Sequence, residues 1–257
     1  MTTVETARYH AAAPGVRCSA PTAQAVSELI VVVPAHNEEQ LIGTCLAALL
    51  DSKRAANRLF PQLTCRIVVV LDNCDDDTGV IVQRTGIRSI VVDHHSVGAA
   101  RRAGVRAALA DAGAPLRRIW LASTDADCRV PAGWMSRFVD AAAHGYHLVL
   151  GMVQPSGDLP ASRLHAWQDR HPYLEGHPHV HGAALGIRAD VYHDIGGWRP
   201  LQTGEDVELV KRAEHRPWIR ILRTAKDPVC TSARTVGRAP AGFADYMTNL
   251  PELSRDR

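Results

Sequence analysis

The apolar positions alternate between two spacings. Leu29-Ile30-Val31-Val32-Val33 is an unbroken aliphatic run ended by Pro34, the pattern of a strand buried on both faces. Leu41, Ile42, Cys45, Leu46 and Leu49 then recur at helical spacing within residues 38–50. The cycle repeats as a strand at 66–71, a short helix at 78–84, a strand at 89–92 and a helix at 98–112. A strand at 119–123, a helix at 132–144 and a strand at 147–153 follow. Strands alternating with helices predict an α/β fold with a Rossmann-like, mainly parallel sheet flanked by helices and right-handed crossovers.

After Gln154 the rhythm loosens. Residues 155–178 are rich in proline and histidine, and a clean apolar run returns only at Ala183-Ala184-Leu185-Gly186-Ile187. A helix at 206–214, a strand near 219–222 and a helical tail at 241–250 complete the expectation. Residues 1–27, rich in Ala, Thr and Pro, read as a flexible N-terminal extension. Residues 28–257 then form one domain, with a regular half at 28–153 and an irregular half at 154–257. No internal repeat separates them.

The chain has 257 residues, 46% of them hydrophobic, enough for a sizeable core. Lys plus Arg number 29 against 27 acids, so a polybasic nucleic-acid binder is not expected. Arginines gather locally at Arg101, Arg102 and Arg106, and again at Arg234 and Arg238, a pattern suited to phosphate groups. The six cysteines form no C-x-x-C pair and read as buried thiols. No signal-peptide core and no run of about 18 apolar residues is present, so the expected location is cytoplasmic. Any lipid-linked substrate would then be met peripherally, at the inner membrane face.

The candidate chemistry clusters at strand ends, where open α/β sheets bind ligands. Thr124-Asp125-Ala126-Asp127 closes the strand at 119–123. Asp127 is the candidate direct ligand for a hard divalent cation, Mn2+ or Mg2+, and Asp125 a second ligand or a ribose contact. Pro34, Ala35, His36, Asn37, Glu38 and Glu39 follow the first strand, with Asn37 a candidate N-cap. Asp72 heads Asp72-Asn73-Cys74-Asp75-Asp76-Asp77, where a base or ribose could be held and where Asp76 or Asp77 would cap the next helix. A calcium loop counted from Asp72 fails, because its sixth and twelfth positions are Asp77 and Gln83. Gly98 and Arg101 sit at a small-residue helix start that suits a diphosphate. Glu205 and Asp206 open a later helix as a capping pair or as a general base. His177, His179 and His181 share one face of any extended segment; zinc is conceivable, and a loop near the acceptor or metal is preferred.

In this order the motifs resemble those of glycosyltransferase family 2, the inverting enzymes of GT-A fold. The likeness covers residues 29–215, from Val33-Pro34-Ala35-His36-Asn37-Glu38-Glu39 onward. It implies that Asp72 contacts the base, that Gly98 and Arg101 lie on the donor side, and that Asp125 and Asp127 form the metal motif. It also implies that His181, Gly182, Gly197 and Trp198 shape the acceptor side, and that Asp206, beside Glu205, is the catalytic base. Two departures stand out. The Q-x-x-R-W signature of processive synthases is missing after Asp206, and the last histidine is His215, so a late histidine ligand is absent. Arg234, in Thr231-Ser232-Ala233-Arg234, is the candidate to bind the diphosphate instead.

The expected reaction is therefore metal-dependent, non-processive transfer of a hexose from a nucleoside diphosphate sugar to a hydroxyl of a small or lipid-linked acceptor, with inversion. A nucleotidyltransferase and a non-catalytic nucleotide-sugar-binding protein are the alternatives. Sugar, base, acceptor and oligomeric state are not legible from the chain.

Overall fold

The computed structural model describes residues 25–156, 159–234 and 243–249. The expectations for residues 1–24, Cys18, Arg238, 241–242 and 250 lie outside them. The first apolar run forms β1 (Glu28–Ala35), every residue of it buried. Its side chains alternate at period two. Leu29, Val31 and Val33 enter one core with α1 (Ile42–Leu59) and α4 (Trp134–Ala143). Ile30 and Val32 enter a second core with α3 (Val97–Ala110), α6 (Ala189–Asp194) and α7 (Glu205–Glu214). The unbroken aliphatic run is explained by these two covered faces.

The remaining elements are β2 (Thr64–Asp72), α2 (Thr78–Arg84), β3 (Arg88–Val92), β4 (Ile119–Ser123), β5 (Cys128–Arg129), β6 (Leu148–Pro155), α5 (Ala161–Arg170), β7 (Leu185–Arg188), β8 (Ile221–Thr231) and α8 (Phe243–Thr248). One eight-stranded sheet has the order β3-β2-β1-β4-β7-β6-β8-β5. β1 pairs in parallel with β2 and β4, and β2 with β3. The second half is mixed: β7 runs antiparallel to β4 and β6, β8 parallel to β6, and β5 antiparallel to β8. The first four strands therefore open their carboxyl ends on one edge, and the acidic loops collect there.

Local departures have physical causes. Pro34 does not end β1; it pairs in register with Val70. The Val32 carbonyl faces β4, where it accepts from Thr124 (3.4 Å), and the β4 register stops at Val32. Pro34, two residues on, points to that vacated flank, so its missing N–H breaks no ladder bond. Asn37 is not an N-cap. It has φ 52°, and α1 starts after Leu41, with the Glu38 carbonyl accepting from Leu41 and Ile42. Ser27, just before β1, is tied down by its N–H donating to the Arg118 carbonyl and its own carbonyl accepting from Thr64 N–H, both at 3.0 Å. The helices α5 and α6 and the short β5 were not expected. β8 runs well past residue 222, because its polar middle, Lys226 and Asp227, hides a strand.

Gly186 on β7 sits against Trp120 and Phe138, and a Cβ there would press into both rings. Gly186→Ala is expected to destabilise the fold by about 1–3 kcal/mol through overpacking. Urea denaturation measures this, and an unchanged midpoint would contradict the packing account.

Candidate active site

A cleft of about 670 Å³ lies across the carboxyl ends of β1, β2 and β4. It is lined by Pro34, Ala35, Glu38, Asp72, Arg101, Asp125, Asp127, His181, Gly182, Glu205, Asp206 and Arg234, among others. Asp127 and Asp206 therefore share one cavity, though 79 residues apart is far too distant for any local motif to bring them together; the sheet does so. Asn37, Gly98, Gly197 and Trp198 do not line it. Gly98 is occupied elsewhere: its N–H donates to Leu201 (3.1 Å), and a Cβ would strike that crossing loop. Trp198 is buried beneath Arg101, whose guanidinium carbon lies 5.2 Å from the ring centroid. Gly197, at φ 65°, lends its carbonyl to Arg212 (2.7 Å).

The acidic loop after β2 is not a loose cluster of repelling charges. The Glu38 N–H donates to Thr78 Oγ1 (2.7 Å) and the Glu39 N–H to Asp76 Oδ2 (3.0 Å). The Asp75 N–H donates to Asn37 Oδ1 (2.9 Å) and the Asp77 N–H to Glu39 Oε2 (3.1 Å). Asp76 Oδ1 also accepts from Thr78 N–H (2.9 Å), capping the start of α2, whereas Asp77 makes no side-chain cap. These bonds stitch the first two strand-end loops into one rim. Asp72 accepts from the N–H groups of His94 (2.7 Å), His95 (3.1 Å) and Ser96 (3.2 Å). It thereby fixes the approach to α3, which Ser96 caps at Ala99 (3.3 Å).

Two guanidinium groups organise the centre. Arg101 is buried and bonded to both Asp125 and Glu205. A Cβ on Gly182 would lie 2.7 Å from both of its terminal nitrogens, so glycine is required where the chain passes. Arg234 forks onto Glu38 (2.7 and 2.8 Å) and reaches Asp127 Oδ2 (3.1 Å). Burial pushes the Glu205 carboxyl upward and Arg101 opposes it. Asp206 accepts from Gly182 N–H (2.6 Å) through Oδ2 and from Val207 N–H (2.7 Å) through Oδ1. Glu205 is thus tied up by Arg101, while Asp206 faces the cleft with a backbone-fixed carboxylate.

Burial, then the nearby Asp125 charge, raises Asp127 to about 6, against the pull of Arg234. A carboxylate under that stress is suited to a divalent cation, which would relieve both causes. Among the described residues, ligand atoms of Asp125, Asp127 and Cys128 lie within 4.8 Å of one another. Burial and the same acids push the Cys128 thiol well up, so the two carboxylates are the fitting donors for Mn2+ or Mg2+. His177, His179 and His181 do form a ladder on one face, with neighbouring rings 6.0 and 6.1 Å apart. Their ring nitrogens do not meet as a three-ligand group. Sequence reasoning missed Trp167, His171, Phe243 and Tyr246, which also line the cleft.

The family model of glycosyl transferase family 2 matches residues 30–196. The chain belongs to glycosyl transferase family 2. It is 30% identical over 212 residues to a dolichyl-phosphate hexose transferase of Haloferax volcanii, covering 79% of this chain and 82% of that one. Membership of this family makes the protein a glycosyltransferase. S. aureus TarS 1-349 in complex with UDP superposes with TM-score 0.57 at 16% identity, over 80% of this chain and 61% of TarS 1-349. Glucosyl-3-phosphoglycerate synthase from Mycobacterium tuberculosis, in complex with Mn2+, UDP and glucosyl-3-phosphoglycerate, superposes with TM-score 0.52 at 17% identity, over 89% and 77% of the two chains. At these identities the structural likeness establishes the GT-A fold.

Two predictions test the charge balance. Arg101→Ala leaves the buried Glu205 and the part-exposed Asp125 without their partner, and should cost about 3–5 kcal/mol in urea denaturation. A loss below 1 kcal/mol would contradict the pairing. For Asp127, the folded carboxyl titrates above its ordinary 3.8, at about 6. The folded state then holds that proton more tightly than the unfolded chain. In metal-free buffer, its contribution to stability therefore falls as pH rises from about 4 through about 6, and levels off above. Asp127→Asn should flatten this segment of the pH–stability curve and remove the thermal shift produced by Mn2+. A variant that keeps either behaviour would contradict the assignment.

Proposed function

We propose that the protein transfers a single sugar from a nucleoside diphosphate donor to an acceptor hydroxyl, with inversion at the anomeric carbon and Asp206 as general base. The observation that carries this reading is the placement of the Asp125–Asp127 pair and Asp206 on one cleft, with the former at the end of β4 and the latter on α7. Asp125 and Asp127 would hold Mn2+ or Mg2+, which would supply charge neutralisation at the departing diphosphate. Arg234, forked onto Glu38 and 3.1 Å from Asp127 Oδ2, would serve the same anion as a cationic partner. Pro34, Ala35, Glu38 and Asp72 form the donor rim, and His181 and Gly182 begin the acceptor side.

Asp206 is the base because its carboxylate is fixed by Gly182 and Val207 yet lines the cleft. It takes the acceptor proton as the oxygen attacks the face opposite the leaving group. Glu205 and Arg101 act one step back: they hold the start of α7 against the end of β4. The Mn2+ and UDP named for the Mycobacterium tuberculosis structure support the same cofactor class and donor type here. A nucleotidyltransferase would want a glycine- and base-rich first loop; this one carries Glu38 and Glu39.

Among the described residues, no helix is long and apolar enough to cross a membrane. Cytoplasmic residence with peripheral access to lipid-linked material remains part of the proposal.

Asp206→Asn should preserve nucleotide-dependent thermal stabilisation while transfer falls by at least about 100-fold. Turnover near the wild-type rate in this variant would remove Asp206 from the base role.

A further inference from the structure

The cleft has two ends of opposite character. One carries the acids and arginines already described. The other is a ring-lined wall of Trp167, His171, His181, Phe243 and Tyr246. His171 stacks on Trp167 at 3.6 Å and 8°, while Phe243 and Tyr246 meet Trp167 edge-on at 5.1 and 5.8 Å. The wall runs straight to the base, because His181 precedes the Gly182 N–H that fixes Asp206.

Resting on the transferase reading, we infer that the acceptor is an uncharged, ring-bearing hydroxyl compound that stacks on this wall, and not a phosphate-bearing one. Charge is the first argument. The cleft is lined by Glu38, Asp72, Asp125, Asp127, Glu205 and Asp206, against Arg101 and Arg234 among the described residues. Both arginines are already matched to carboxylates. A divalent cation and a donor diphosphate would cancel one another's charge, so among the described residues the surplus of acid would persist with both bound. A phosphate entering beside Asp206 would meet that field in a partly desolvated cleft, where repulsion is strong.

The wall itself offers an anion nothing. Burial first, and the neighbouring imidazoles next, push His181 down to about 3, and burial lowers His171 as well. These rings are neutral at physiological pH. His181 Nε2 is buried with no hydrogen-bond partner among the described residues, an unmet polar atom in a wall of rings. Neutral imidazole suits a hydroxyl, and aromatic rings suit the C–H face of a sugar or another ring. The relatives' names mention dolichyl phosphate and phosphoglycerate, so the inference separates this chain from them.

The test uses the full chain with Mn2+ and a nucleotide sugar that it hydrolyses. Two acceptors share one ring: 4-nitrophenyl β-glucoside and its 6-phosphate. Transfer is followed by mass spectrometry, and binding of each to the nucleotide-loaded protein by calorimetry. The neutral compound should bind and be used at least about tenfold better. Tyr246→Ala, at a residue 42% exposed and so safe for folding, should raise KM for the neutral acceptor about tenfold with kcat changed less than twofold. Equal or better use of the phosphate, binding of neither compound, or an unmoved KM in Tyr246→Ala overturns the inference. A protein that hydrolyses no nucleotide sugar and binds no nucleoside diphosphate with Mn2+ defeats the transferase reading itself, and the inference with it.

Discussion

Arg101 lies between two acids from distant parts of the chain and holds the active cleft together. Its guanidinium joins Asp125, at the end of β4, to Glu205, at the start of α7, and rests on the Trp198 ring. Arg101 or Glu205 alone would be a costly buried charge; together, with the part-exposed Asp125, they satisfy one another. The pairing sets the separation between the carboxylate pair suited to a metal and the carboxylate suited to a base. It also explains why glycine stands at 182: a side chain there would displace the guanidinium. Glu205, next to Asp206, is thereby fixed at the start of α7.

Arg234 has the same chemistry but a different freedom. It is a quarter exposed and shared between Glu38 and Asp127, whereas Arg101 is sealed in. A guanidinium that neutralises Asp127 in the unliganded protein can exchange it for a diphosphate when a cation takes over the carboxylate. One arginine is thus sealed into the architecture, and the other lies open to the cleft. The surplus of acid that both leave behind bears on which molecules can enter.

Much of the donor half was legible in the chain because its elements obey local rules. β1 is an aliphatic run and β4 a short apolar one, both buried throughout, and Asp125 with Asp127 mark the end of β4, whereas Pro34 proved to lie inside β1. The expected limits of β4 and α2 coincide with the structure. Where two loops act on each other, the local rules failed. Asn37 looks like a cap, but its amide reaches Asp75 across the rim, and α1 begins later. Gly197 and Trp198 belong to the acceptor side in the family pattern, yet Trp198 sits behind Arg101, and Gly197 packs against Tyr192 and bonds Arg212. The ring-lined wall was invisible for a further reason: Trp167 and His171 come from α5 and its end, Phe243 and Tyr246 from α8, and only tertiary packing unites the two helices.

The central claim is that a cation held by Asp125 and Asp127 places a donor diphosphate opposite Asp206. A crystal structure with Mn2+ and a nucleoside diphosphate tests it most directly, with anomalous scattering locating the metal. The account predicts manganese between Asp127 and the diphosphate, Arg234 turned from Asp127 onto a phosphate oxygen, and the Asp206 carboxylate facing the vacant sugar position. Manganese bound among the histidines, or a diphosphate lying outside the cleft, would contradict it.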